Sequence, residues 1–92
     1  MRVPRIESVK TAVEIYYTNI TLGNKQINEL FGGIGNDKIS ELKKAARAQM
    51  KEDDVPAYNG SEVSTISAFK AWGLDIKELT ERYRTAKKII GG

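Results

Sequence analysis

The stretch that decides the fold of this chain is residues 23–51, GNKQINELFGGIGNDKISELKKAARAQMK. Its first part predicts a short helix over residues 25–31, because Ile27, Leu30 and Phe31 fall at the three- and four-residue spacings of one helix face. Two consecutive glycines, at positions 32 and 33, end this helix, since glycine adopts the left-handed conformation without a Cβ clash. A tight, glycine-rich turn is therefore expected before the next element.

A longer helix is predicted after the glycine turn. We expect Asn36 or Asp37 to cap it and the acidic residues at 52–54 to mark its end. Its apolar residues form one stripe and comprise Ile39, Leu42, Ala46 and Met50. At about 100° per residue, another side of the cylinder carries Ser40, Lys44, Arg47 and Lys51. This helix is thus predicted to pack by one face and to present a second face that is polar and mainly basic.

Helical patterns continue on both sides of this pair. Pro4 and the apolar stripe behind it predict a first helix over about residues 4–17, because proline suits the first turn of a helix. A short helix is predicted over residues 65–72. A last helix is expected to start after Asp75, whose spacing to Glu78 resembles a capping box.

These elements fit one domain spanning residues 1–92, since the chain is long enough for a single modest core. Its parts are the helix pair at about 21–51, a linker at about 52–62 and a C-terminal helical part at about 63–90. Within the linker, Asn59-Gly60 is a strong turn dipeptide, so a minor β-hairpin near 55–66 is an alternative to irregular structure. The expected fold class is all-α, a small helical domain of about five helices.

Composition argues against several classes of site. The chain has no cysteine and no histidine, which removes thiolate and imidazole metal ligands and the commonest general base. With no nucleophile–base pair or phosphate loop in the sequence, we expect no enzyme, no catalytic or metal site and no cofactor. No apolar run approaches the roughly 18 residues that span a bilayer, and the N-terminal segment lacks the apolar core of a signal peptide. We therefore expect a cytoplasmic protein that does not bind membranes.

The apolar register of the central pair resembles the helix-turn-helix of bacterial and phage DNA-binding proteins. The positions that match the motif, in chain order, are Ile27, Phe31, Gly32, Ile34, Ile39 and Leu42. The resemblance covers about residues 21–51 and departs from the motif twice. The turn is one residue longer than the shortest form, and Asn28 stands where a small residue is usual. Two helices that cross over a tight turn share a small wedge of core and leave one face of the second helix free.

The resemblance implies that the helix over about residues 37–51 enters the major groove of double-stranded DNA. The base-reading positions would be Asn36, Asp37, Lys38, Ser40, Glu41 and Lys44. The positions for phosphate contacts would be Lys25, Arg47 and Lys51. The implied function is that of a small sequence-specific DNA-binding protein, either a transcriptional regulator or an accessory factor of a phage or mobile element.

Two alternatives remain open from the sequence. The basic residues of the long helix also fit an ordinary solvated helix face. In the last helix, apolar residues recur at spacings of three and four, namely Ile76, Leu79, Tyr83, Ala86 and Ile90. This stripe either covers the core of its own domain or forms a homodimer. The second outcome would favour a protein-interaction or assembly module that works through its C-terminal amphipathic helix.

Overall fold

Five helices and two short strands make up residues 2–56 and 60–90, the part of the chain that the computed structural model describes. The helices are α1 Val9–Thr18, α2 Asn24–Phe31, α3 Asn36–Glu52, α4 Thr65–Ala71 and α5 Ile76–Ile90. The strands are β1 Thr21–Leu22 and β2 Val63–Ser64. The prediction of a small, mostly helical domain with about five helices is confirmed.

The first helix is shorter than the sequence pattern predicts. It begins at Val9 rather than near Pro4, because Ser8 is its N-cap and accepts a hydrogen bond of 3.0 Å from the amide of Thr11. The residues before Ser8 are not helical, yet Ile6 still packs against the core. The amide of Glu7 donates to the carbonyl of Leu30 at 2.8 Å. The residues before α1 therefore supply a hydrogen-bond donor to a carbonyl in the last turn of α2.

The central helix pair has the expected bounds, with different caps. Gly23 is the N-cap of α2, and its amide donates to Gln26 Oε1 at 3.0 Å. The N-cap of α3 is Gly35, so the predicted caps Asn36 and Asp37 lie inside its first turn. The end of α3 at Glu52 is as predicted. Gly35 occupies the N-cap position. The side chains of Asn36 and Asp37 therefore do not serve as the N-cap of α3.

The two strands join distant parts of the chain. Thr21 pairs with Ser64 and Leu22 with Val63, in antiparallel register. Strand β2 lies within the segment where a hairpin was predicted, but its partner β1 comes from before α2 rather than from the residues just preceding it. The tip of the predicted hairpin includes residues 57–59, which lie outside the described residues. The pairing closes a loop around α2 and α3 and holds them as one unit.

The core lies mainly between α3 and α4. Trp72, at the C-cap of α4, is 3% exposed, and its indole Nε1 donates to the carbonyl of Leu42 in α3 at 2.9 Å. Its ring lies 5.5 Å from that of Phe31, edge to face, and 6.5 Å from that of Phe69. Aromatic packing at these distances adds to the stabilisation from apolar burial. Trp72 thus ties together the last turn of α2, the middle of α3 and the end of α4.

Helix α5 packs along α1 through its first turns. Within the predicted stripe, Leu79 is 8% exposed and belongs to the core, while Ile76 and Tyr83 are half-buried against it. Ala86 is exposed, and the side chain of Ile90 lies outside the described residues. At least the first half of the stripe therefore covers the core of its own domain. The proposed homodimer has only the last turns of α5 available to it.

A carboxylate joins the end of α3 to α4. Asp53 accepts hydrogen bonds from Gln49 Nε2 at 3.0 Å, from Ser67 Oγ at 2.9 Å and from Lys70 Nζ at 2.9 Å. Lys70 is also its ion-pair partner. The hydrogen bond from Lys70 contributes most to lowering the pKa of Asp53 below its usual 3.8, and those from Gln49 and Ser67 add to it. The folded chain therefore binds a proton at Asp53 more weakly than the unfolded chain does.

We expect Asp53→Asn to destabilise the protein at neutral pH and to matter less in acid. The pKa of Asp53 is depressed by folding, so its contribution is present above pH 3.8 and is lost as the pH falls through and below that value. Urea unfolding of the wild type and the variant, from neutral pH to about pH 2.5, measures the difference. Lys70→Ala, alone and combined with Asp53→Asn, measures how much of the effect of Asp53 depends on its contact with Lys70. A difference that stayed constant over this pH range would contradict the assignment.

The glycine turn gives a second prediction. Gly32 and Gly33 have φ of +75° and +93°, whereas Gly35 has φ of −69°. We expect Gly33→Ala to cost about 1–2 kcal/mol, because an L side chain is strained at positive φ. Gly32→Ala should cost at least as much, because its added Cβ would also meet the carboxylate of Glu7. Gly35→Ala should change the free energy of unfolding by only about a few tenths of a kcal/mol. Alanine is the poorer N-cap, but it restricts the unfolded chain, and its added Cβ meets open space. Equal effects at all three positions, measured by urea unfolding, would show that the backbone conformation is not the cause.

Candidate nucleic-acid interface

The turn between α2 and α3 explains both departures from the helix-turn-helix pattern. Gly33 donates its amide to the carbonyl of Asn28 at 2.9 Å. The next amide, that of Ile34, donates to Asn28 Oδ1 at 2.8 Å. The extra residue in the turn leaves one more amide to satisfy, and the side chain of Asn28 satisfies it. The longer turn and the asparagine are therefore one feature, which fixes where α3 begins.

Most of the predicted contact residues lie on the solvent side of α3. Its inner face is buried through Ile39, Leu42, Lys43, Ala46 and Met50. Those that are exposed comprise Asn36, Asp37, Ser40, Glu41, Lys44, Arg47 and Lys51. Lys38 is half-buried, and its ammonium forms an ion pair of 3.1 Å with Glu41. The front of the helix thus carries one neutralised pair, and its remaining charges are free to face a ligand.

One residue outside α3 joins this surface. Lys25, in the first turn of α2, is exposed and lines a shallow cleft of about 230 Å³ together with Asn36. Asn24, Asn28 and Ile34 complete much of the same cleft. The fold therefore brings Lys25 beside the start of α3. The groups that meet there are amides and an ammonium, which suit phosphate and base-edge oxygens.

The basic face of α3 also holds the segment before β2. Arg47 Nη2 donates to the carbonyl of Gly60 at 2.7 Å, and Lys43 Nζ donates to the carbonyl of Ser61 at 2.6 Å. The sequence gives no sign of either bond, because the acceptors are backbone groups 13 and 18 residues away. Arg47 keeps its other guanidinium donors, since this bond uses only one of five. Arg47 is therefore oriented by the protein and still able to bind a second acceptor.

Lys43 flanks the apolar stripe of α3 and is not part of the outward face. It sits among the basic residues of α3 but is only 7% exposed. Burial lowers the pKa of its ammonium most, and the nearby charge of Arg47 lowers it further, while Glu62 opposes both. Lys43 is thus a structural lysine that supports residues 60–61. It is not available to an external ligand.

The unpaired charge of the interface is basic. Within the described residues, the side-chain ammonium groups of Lys25, Lys44 and Lys51 make no hydrogen bond or ion pair. The carboxylate of Asp37 lies in the first turn of α3, where the partial positive charge of the helix end stabilises it. Glu41 is neutralised by Lys38. Three free lysines spread from α2 to the last turn of α3 therefore set the sign of this surface.

The described residues contain no group of three or more acidic side chains arranged to hold a metal ion. None of the helices in the described part of the chain is long and apolar enough to cross a membrane. No protein-family model, curated protein or solved structure matches the chain. The case for a function therefore depends on the geometry and chemistry of the surface itself.

Proposed function

We propose that the chain is a small sequence-specific protein that binds double-stranded DNA through the outward face of α3. Its role would be that of a transcriptional regulator or an accessory factor of a phage or mobile element. One observation supports this most directly. A stripe of exposed polar and basic residues runs the length of α3 without an acidic residue in it, and it comprises Asn36, Ser40, Lys44, Arg47 and Lys51.

The spacing of this stripe suits a groove. At about 100° per residue, its five members fall within roughly 80° of arc, while Asp37 and Glu41 lie to one side. From Asn36 to Lys51 the stripe is about 22 Å long, at about 1.5 Å per residue. A major groove about 12 Å wide admits one α-helix. A straight, acid-free stripe on the exposed side of a helix that is anchored by its other side is the geometry that such docking requires.

The residues divide into two roles. Asn36 can make paired hydrogen bonds to an adenine edge, and Ser40 and Lys44 can donate to base acceptors in the groove. Lys51, Arg47 and Lys25 lie toward the two ends of the surface, where lysine and arginine contact phosphate oxygens and fix the register. The flanking carboxylates of Asp37 and Glu41 repel phosphates. They disfavour indiscriminate binding and favour a site that supplies a donor such as a cytosine amino group.

A salt series with duplex DNA tests the proposal. Fluorescence anisotropy of a labelled random duplex, from about 50 to 300 mM salt, should give a linear plot of log K against log salt. With three phosphate contacts the slope should be about −3, since each contact contributes about −0.9. Competition with a library of duplexes then recovers the preferred sequence. Absence of binding at the lowest salt would overturn the proposal, and binding without any sequence preference would overturn the base-reading role of Asn36.

A further inference from the structure

A groove of about 810 Å³ lies on the far side of α3, where the ends of α1 and α3 meet the start of α4. Three large apolar side chains at this groove are left exposed: Tyr17 by 64%, Ile20 by 82% and Ile66 by 61%. Among the described residues only one other large apolar side chain is comparably exposed, Ile89 by 77%. Exposed apolar groups that cluster in this way mark interaction surfaces.

Several polar groups of the groove are already hydrogen-bonded within the chain. Asp53 has three donors, as described above, and Thr65 Oγ1 donates to the carbonyl of Asn19 at 2.6 Å. Ser64 Oγ accepts from the amide of Ser67. A polar small molecule would have to displace these hydrogen bonds. An apolar side chain would only cover the exposed apolar surface. The groove is therefore suited to an apolar group presented by a protein.

The surroundings of the groove favour a basic partner. Helices α1 and α3 both end beside it, at Thr18 and Glu52, and helix C-termini carry partial negative charge. Three acidic residues, Glu52, Asp53 and Asp54, follow one another there. One of them is neutralised by Lys70, which leaves an acidic excess. An apolar tip flanked by cations is the complementary surface.

The last turns of α5 have this composition. Residues 82–89 contain Arg82, Arg84, Lys87 and Lys88 and no acidic residue, and they end at the exposed Ile89. This end does not cover the groove of its own chain. Tyr17 Oη lies 3.5 Å from Thr80 Oγ1, and Ile89 is nine residues, or about 13 Å, further along the helix. Both surfaces therefore remain open in a single copy.

We propose that the Ile89 end of α5 in one copy docks into the groove formed by Tyr17, Ile20 and Ile66 in a second copy. The apolar parts match, because the exposed Ile89 of one copy would be covered by the exposed apolar side chains of the groove in the other. The charges match as well: Arg82 is paired with Glu78, which leaves three cations, Arg84, Lys87 and Lys88, to face the acidic run at residues 52–54. Because the two surfaces differ, the contact is head to tail. A dimer formed in this way leaves one groove and one Ile89 end unoccupied, so further copies can add at both ends. Assembly of this kind is independent of DNA binding.

Sedimentation velocity without DNA tests this contact. The wild type should assemble with rising concentration beyond a dimer, and added salt should weaken the assembly. Ile89→Asp and Ile66→Asp should each weaken association by about tenfold or more, because each places a charge where an apolar side chain is buried. Both positions are exposed, so circular dichroism should show unchanged folding. Ala48→Asp, at an exposed position of α3, is the matched control and should assemble as the wild type does.

Mixing the two variants distinguishes this contact from a symmetric one. Each variant lacks a different half of the interface, so an equimolar mixture retains one intact contact and should form a dimer that grows no further. A symmetric contact between two α5 helices would be weakened by Ile89→Asp and not by Ile66→Asp. A wild type that stays monomeric at all concentrations would overturn the proposal. So would a mixture that stays monomeric while the wild type assembles.

Discussion

Trp72→Ala is expected to lower the free energy of unfolding by about 3–5 kcal/mol, the usual cost of removing a buried tryptophan or phenylalanine side chain. A domain of 92 residues has a total of roughly 5–14 kcal/mol, so the loss is a large fraction of its stability. The indole packs between Phe31 at the end of α2, Leu42 in α3 and Phe69 in α4. The variant should therefore unfold at a clearly lower urea concentration than the wild type.

Trp72→Phe separates the two contributions of this side chain. Phenylalanine keeps most of the ring packing against Phe31 and Phe69 but loses the hydrogen bond to the carbonyl of Leu42. We expect a cost of about 1–2 kcal/mol, from the lost bond and a smaller ring. Trp72 is the only tryptophan, so far-ultraviolet circular dichroism in urea must follow unfolding for all three proteins. A loss below about 1 kcal/mol for Trp72→Ala would contradict the central place of the indole in the core.

The sequence predicts the helices well where local signals agree. Gly32 and Gly33 end α2, Ser64 caps α4 through the amide of Ser67, and Asp75 Oδ1 accepts from the amides of Lys77 and Glu78 at the start of α5. Each of these depends on residues within four positions of one another. Local hydrogen bonding and hydrophobic periodicity are sufficient to identify such features.

The features that the sequence misses depend on distant partners. Strand β1 has only two residues, and its partner Val63–Ser64 follows 40 residues later, so no local pattern marks it. The start of α1 is displaced because Ile6 reaches the core from a segment that is not helical. A periodic apolar residue shows that a position is buried. It does not show which backbone conformation brings it there.

The candidate interface also has some features that the sequence predicts and others that depend on distant partners. The outward stripe of α3 follows from helix periodicity, and the structure leaves it exposed. Periodicity also places Lys43 beside the apolar stripe and Lys44 on the outward face, but it does not show that Lys43 donates to the carbonyl of Ser61. Charge on a helix can serve to hold a nearby loop as well as to bind a ligand. Only the tertiary contacts separate the two uses.

These contacts identify the lysines that an external phosphate can reach. Of the residues assigned to phosphate contacts, Lys25 and Lys51 are exposed and their ammonium groups have no partner among the described residues, whereas one donor of Arg47 is already used by the carbonyl of Gly60. If the outward face of α3 binds DNA, the free pair should account for much of the salt-dependent affinity. Each phosphate contact contributes about 0.9 to the salt slope, which is a factor of about eight at roughly 0.1 M salt.

We therefore expect Lys25→Ala with Lys51→Ala to weaken binding to duplex DNA by about 60-fold at roughly 0.1 M salt and to reduce the salt slope by about 2. The matched control is Lys10→Ala with Lys77→Ala, which removes the same net charge from exposed positions of α1 and α5. A loss of net charge alone would affect both double variants equally. A contact made by the outward face of α3 and the neighbouring Lys25 would affect the first far more. Anisotropy titrations of the three proteins at several salt concentrations distinguish these outcomes, and equal losses would mean that α3 does not face the DNA.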